Sequence, residues 1–111
     1  MMSNFITDDM VEKSLNYLRD NAEELGHLKG RVEYYQHERK VVRGQAFLDS
    51  EEKTAAAREA EAESCAAYRH SIQELADAVT VFTTLQTKMK AAEIKLETWR
   101  SLNARSGRGH I

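Results

Sequence analysis

At 111 residues the chain has the length of one domain, and 16 basic against 18 acidic residues give a net charge of −2, so the chain as a whole is no polyelectrolyte. Proline is absent, and one cysteine, Cys65, excludes an intramolecular disulfide. No stretch reaches the apolar length of a membrane span, and the start MMSNFITDD lacks a basic segment followed by an apolar run, so no membrane partner is expected and the compartment is taken as the cytoplasm.

The first predicted element is a long helix over about residues 8–48. Thr7 or Asp8 can cap it, and Asp8, Asp9 and Glu12 suit its positive end. Its apolar stripe runs Val11, Leu15, Leu18, Ala22, Leu25, Leu28, Val32, Tyr35, Arg39, Val42, Ala46, in the steps of three and four that mark one helix face. Residues 49–63 leave the stripe and are small and acidic. Thr54 is a helix-start signal there, so a short alanine-rich helix over about 54–63 is predicted inside the connection. A second long helix follows over about 64–104, with Ser64 as its start signal. Its stripe is Tyr68, Ile72, Leu75, Val79, Phe82, Leu85, Met89, Ala92, Leu96, Trp99, Leu102. Ser-Gly-Arg-Gly then breaks the pattern, and 105–111 reads as a flexible basic tail.

The two stripes match in reverse order. Leu15 with Trp99, Leu18 with Leu96, Leu25 with Met89, Val32 with Phe82 and Ala46 with Tyr68 all have numbers adding to 114, as an antiparallel pair requires. Each stripe also carries one step irregularity, at Leu25 to Leu28 and at Phe82 to Leu85. The predicted fold is therefore all-α: a long antiparallel helical hairpin, coiled-coil-like, with a short helix in the connection. Gly26 and Gly30 lie beside the irregularity and read either as a hinge or close helix approach, or as tolerated local weakness. Arg39 falls in the seam opposite Leu75, where its stem can pack while its head reaches towards Glu38 or Glu74.

A second apolar stripe, Tyr34, Val41 and Leu48, with Val81 across the hairpin, lies beside the seam. Tyr17 and Met10 continue that flank at the other end. A two-helix hairpin buries one face of each helix and is marginal alone. Either the connecting helix folds over Tyr34, Val41 and Leu48, or another copy covers them. Self-association is preferred, with a dimer giving a four-helix bundle, and a groove for another protein is the competing use.

Charge is uneven along the chain. Residues 1–28 carry six acidic against two basic side chains and 49–63 the same balance, whereas 29–48 carry five basic against two acidic and 84–111 six basic against two acidic. One reading is internal pairing of the basic end with the acidic start. The other is that Lys95, Arg100, Arg105 and Arg108 contact nucleic-acid phosphates.

No catalytic constellation is present. His27, His37, His70 and His110 are dispersed, with no pair at a helical spacing of three or four to offer two metal ligands. There is no glycine-rich phosphate loop, nucleophile elbow or Cys-x-x-Cys pair. No enzyme, metal or cofactor is expected.

The segment Trp99-Arg100-Ser101-Leu102-Asn103-Ala104-Arg105, the ending Gly-Arg-Gly-His-Ile and the middle Arg58-Glu59-Ala60-Glu61-Ala62 resemble small all-helical proteins of tailed bacteriophages and prophages, over most of the chain. Such proteins are encoded near single-strand annealing recombinases and exonucleases. The resemblance implies an accessory role in phage DNA recombination or replication, in the bacterial host cytoplasm, with DNA or a recombination enzyme as partner. It assigns no catalytic or binding residue. The acidic Ser50-Glu51-Glu52-Lys53 stands where the pattern has a glycine turn. The alternative is a protein-binding virion assembly factor, or an inhibitor of a host enzyme, that binds no DNA.

Overall fold

The computed structural model describes residues 6–109, with side chains from Ile6 to Arg105. Three helices follow in order, α1 over Asp8–Asp49, α2 over Ala55–Ser64 and α3 over Ala66–Gly109, with no strand among the described residues. The long helices α1 and α3 form the hairpin, and α2 is the short helix of the connection.

Local side-chain chemistry explains each start. Thr7 caps α1: its Oγ1 accepts from the Met10 amide at 3.2 Å and its carbonyl from the Val11 amide at 3.1 Å. Asp8 and Asp9 then occupy the positive first turn. Thr54 caps α2 from an extended backbone, φ −106° and ψ 153°, with Oγ1 accepting from the Ala57 amide at 3.1 Å. Ser64 does not start α3. It is the last residue of α2, where its hydroxyl donates to the Glu61 carbonyl at 3.1 Å and so spends its capping capacity backwards. The break falls instead at Cys65, extended at φ −71° and ψ 154°, whose half-buried thiol donates to the Ala62 carbonyl at 3.1 Å.

At its far end α3 continues to Gly109, past the end expected near Ala104 and into the segment read as a flexible tail. Glycine disfavours a helix by about 1 kcal/mol against alanine but keeps its backbone donor, so Gly107 and Gly109 weaken the helix without stopping it as proline would. Residues 110–111 lie outside the described residues.

The chain divides into two units, Met1–Leu25 with Thr84–Ile111, and Gly26–Thr83. In the first unit the seam positions are Val11, Ser14, Leu18, Asn21 and Leu25 on α1, and Leu85, Met89, Ala92, Leu96 and Trp99 on α3. Ile6, Val11 and Leu96 form a buried cluster, with Met10, Leu18 and Trp99 packed against it. In the second unit the seam is Leu28, Val32, Tyr35, Arg39, Val42 and Ala46 on α1, and Ser71, Leu75, Ala78 and Phe82 on α3.

These positions correct the sequence reading. Ser14 and Asn21 replace Leu15 and Ala22, and Ser71 and Ala78 replace Ile72 and Val79, so three and four alternate without a defect in either helix. The face that each long helix turns inwards is therefore not the one the hydrophobicity of single residues selects. The cause is that the seam follows geometry: keeping one face in contact over many turns requires an unbroken heptad, even where this carries a serine inside and leaves Leu15, Ile72 and Val79 exposed. Ser71 meets the demand by donating its hydroxyl to the Tyr68 carbonyl at 2.6 Å, and Asn21 by donating to the Tyr17 carbonyl at 2.9 Å.

The glycines mark no close helix approach. α1 runs unbroken through Gly26, Gly30 and Gly44, none has positive φ, and a methyl group at any of them would meet open space.

Candidate functional site

The connection is held to the end of α1 in the Gly26–Thr83 unit. Arg43 donates through Nε and a terminal nitrogen to one Glu63 oxygen at 3.1 and 2.9 Å. The Ser50 hydroxyl donates to the Glu61 carboxylate and accepts from the Glu52 amide, and the Arg58 guanidinium lies 5.8 Å from the centre of the Phe47 ring. Ala62 is 1% exposed, the most buried of the core residues. These anchors place α2 on the side of Arg43, Phe47 and Ser50. Successive residues point about 100° apart on a helix, so covering Phe47 does not cover Leu48.

The second apolar stripe is accordingly open. Tyr34 is 61%, Val41 52%, Leu48 71% and Val81 53% exposed. Tyr34 meets Tyr35 edge to face, with centroids 5.2 Å apart, and the Arg31 guanidinium sits 5.8 Å from the Tyr35 ring centre. Tyr35 and Arg31 then line a groove of about 280 Å³ with Leu28, Ala78 and Val81 on its apolar side and Glu74 and Asp77 on its acidic side. The structure therefore joins Tyr34 to Val81 through the Tyr35 groove, while Val41 and Leu48 continue along α1. Ile72 and Val79, one heptad apart on α3 and also exposed, were missed as surface residues because their hydrophobicity had assigned them to the seam.

In the other unit, Met10 and Tyr17 are half-buried. With Ser14, Ala91, Ala92 and the lysines 13, 88 and 95 they line a groove of about 270 Å³. Lys13 pairs with Asp9 at 3.1 Å, but Lys88, Lys95, Arg100 and Arg105 have no carboxylate within 4 Å among the described residues. Among the described residues, the ion pairs lie within one helix apart from Arg43–Glu63, and none joins the basic end to the acidic start. The Arg108 side chain lies outside the described residues.

Arg39 occupies its expected seam position but reaches neither Glu38 nor Glu74. Its Nε is buried without a hydrogen-bond partner, and Glu74 pairs with His70 at 3.1 Å. Among the described residues no group of three or more His, Cys, Asp or Glu is placed to hold a metal, and no helix is long and apolar enough to cross a membrane. Comparison of the chain with protein-family models, curated proteins and solved structures gave no match.

Proposed function

We propose that the chain is a non-enzymatic helical interaction module that self-associates as a dimer through Tyr34, Val41, Leu48 and Val81. The observation carrying this reading is that α2, the one element of the connection able to fold over that stripe, packs on Phe47 and Arg43 and leaves the stripe open. Large exposed apolar patches mark interaction surfaces, and Tyr34, Val41 and Leu48 recur every seven residues on one face of α1. Sedimentation analysis of Val41→Glu combined with Leu48→Glu tests it. Loss of the dimer with unchanged helicity is expected, and a dimer that survives both charges rejects the interface.

A second reading concerns the partner. Among the described residues Lys95, Arg100 and Arg105 have no carboxylate within 4 Å, which favours contact with phosphates and fits an accessory role in phage DNA recombination or replication in a bacterial cytoplasm, acting on DNA or on a recombination enzyme. Fluorescence anisotropy with labelled single- and double-stranded oligonucleotides across a salt series decides it. Binding that weakens steeply with salt, and is lost in Lys95→Gln with Arg100→Gln and Arg105→Gln, supports the DNA role. No binding at low salt removes it and leaves a protein-binding assembly factor or an inhibitor of a host enzyme.

A further inference from the structure

We propose that Arg39, Lys40, Arg43 and Tyr68 form a binding site for a phosphate-type oxyanion within the Gly26–Thr83 unit, separate from both surfaces above. These four residues line one cavity of about 360 Å³, against the first turn of α3. Three are cationic and the fourth carries a phenol, so the polar groups of the wall are mainly donors. Glu63 is the one carboxylate bound to the set, and Arg43 already engages it at 2.9 Å. The formal balance is then three positive charges against one negative. A residual charge of two matches a dianionic phosphate better than a carboxylate.

Arg39 supplies the second observation. Its Nε is a buried donor with no partner, and no carboxylate lies within 4 Å of Arg39 or Lys40 among the described residues. A buried polar group without a partner is disfavoured, and native structures resolve such groups with a water or an ion. Hydrophobic seam packing would be served equally well by Leu or Met at this heptad position. A guanidinium there lines the same cavity as Lys40, Arg43 and Tyr68 and adds a fork of donors to its wall. Oxyanion binding would satisfy the orphaned donor and offset the repulsion between the three cations.

The phosphate can come from a free ion or from a polynucleotide backbone, and the test separates the two. Thermal unfolding of the full chain is followed at fixed pH and ionic strength while chloride is replaced by millimolar inorganic phosphate, with ¹⁵N spectra recording the arginine Nε signals. The melting temperature of the wild type is expected to rise by about 10 °C once phosphate is in hundredfold excess over Kd, with a shift of the Arg39 Nε resonance. Arg39→Met, which keeps the volume of the seam, is expected to abolish the rise. If that variant does not fold, Lys40→Gln and Tyr68→Phe, which leave the seam untouched, each lower the phosphate affinity at least threefold.

A single-stranded oligonucleotide that perturbs the same Arg39 signal and is displaced by phosphate assigns the site to a polynucleotide backbone. Phosphate binding without that displacement assigns it to the free ion. Absence of any shift in the wild type, or an equal rise in the variants, overturns the site and makes Arg39 a packing residue. Because none of these substitutions touches Val41 or Leu48, the dimer can fail its own test while this site passes, and the reverse.

Discussion

Ser14 is 5% exposed while its neighbour Leu15 is 53% exposed, so the seam takes in the hydroxyl and leaves the larger apolar side chain outside. This inversion makes the two positions respond against their hydrophobicity. Leu15→Lys is expected to change stability by no more than about 0.5 kcal/mol, as surface substitutions do. Ser14→Lys is expected to cost more than about 2 kcal/mol, because it drives a charge into the Val11–Leu96 seam. Urea unfolding of the two variants compares them directly, and a larger loss at Leu15 would restore the seam that holds Leu15.

The glycines of α1 predict gains. Each lies inside a helix, has ordinary φ and would set its new methyl group in open space. Gly26→Ala, Gly30→Ala and Gly44→Ala should each stabilise by about 0.5–1 kcal/mol through helix propensity and a less flexible unfolded chain. A loss on calorimetry at any one position would mark that glycine as packed against a partner.

The connection depends on a few polar contacts. Ser50 is buried, donates to Glu61 and accepts from the Glu52 amide, so Ser50→Ala should cost about 1–2 kcal/mol. Thr54→Ala, which removes the α2 cap, should cost about 1 kcal/mol. Hydrogen exchange is expected to rise in α2 in both variants and to stay unchanged around Val11 and Leu96. By contrast, Glu63→Gln should cost under about 1 kcal/mol, with salt eroding the wild-type advantage, because both partners of the Arg43–Glu63 pair are about half exposed.

Self-association predicts a concentration-dependent melting temperature. Binding of a second copy stabilises only the folded chain, so the wild-type midpoint should rise with protein concentration, and Leu48→Glu should flatten that dependence. A wild-type midpoint constant over a hundredfold range would identify a monomer that tolerates its exposed stripe.

That two long helices form, where α1 and α2 begin and that the long helices pair in reverse order were legible in the sequence, whereas the ends of α3 were not. Those features rest on local chemistry: the Thr7 and Thr54 caps, the absence of proline, and apolar residues recurring every three or four positions. The exposure of Tyr34, Val41 and Leu48 was legible too, because their spacing of seven sets them on a face that the seam does not use.

The face that each long helix turns inwards was not. Choosing the more apolar residue at each step admitted Leu15, Ile72 and Val79 and produced two apparent defects, whereas the paired helices keep one unbroken heptad and accept Ser14, Asn21 and Ser71. Hydrophobicity ranks residues one at a time, but contact between two helices is a property of the whole face. The same limit hid the Arg43–Glu63 and Ser50–Glu61 anchors and the unpartnered Nε of Arg39. Each depends on groups distant in sequence or on the lack of a neighbour, and no periodicity along one chain encodes either. The sequence by itself determined the helices and their antiparallel order. Only the tertiary structure decided which face each long helix turns inwards and the side of α1 on which α2 lies, because these are chosen by packing between elements and not by the preferences of any one of them.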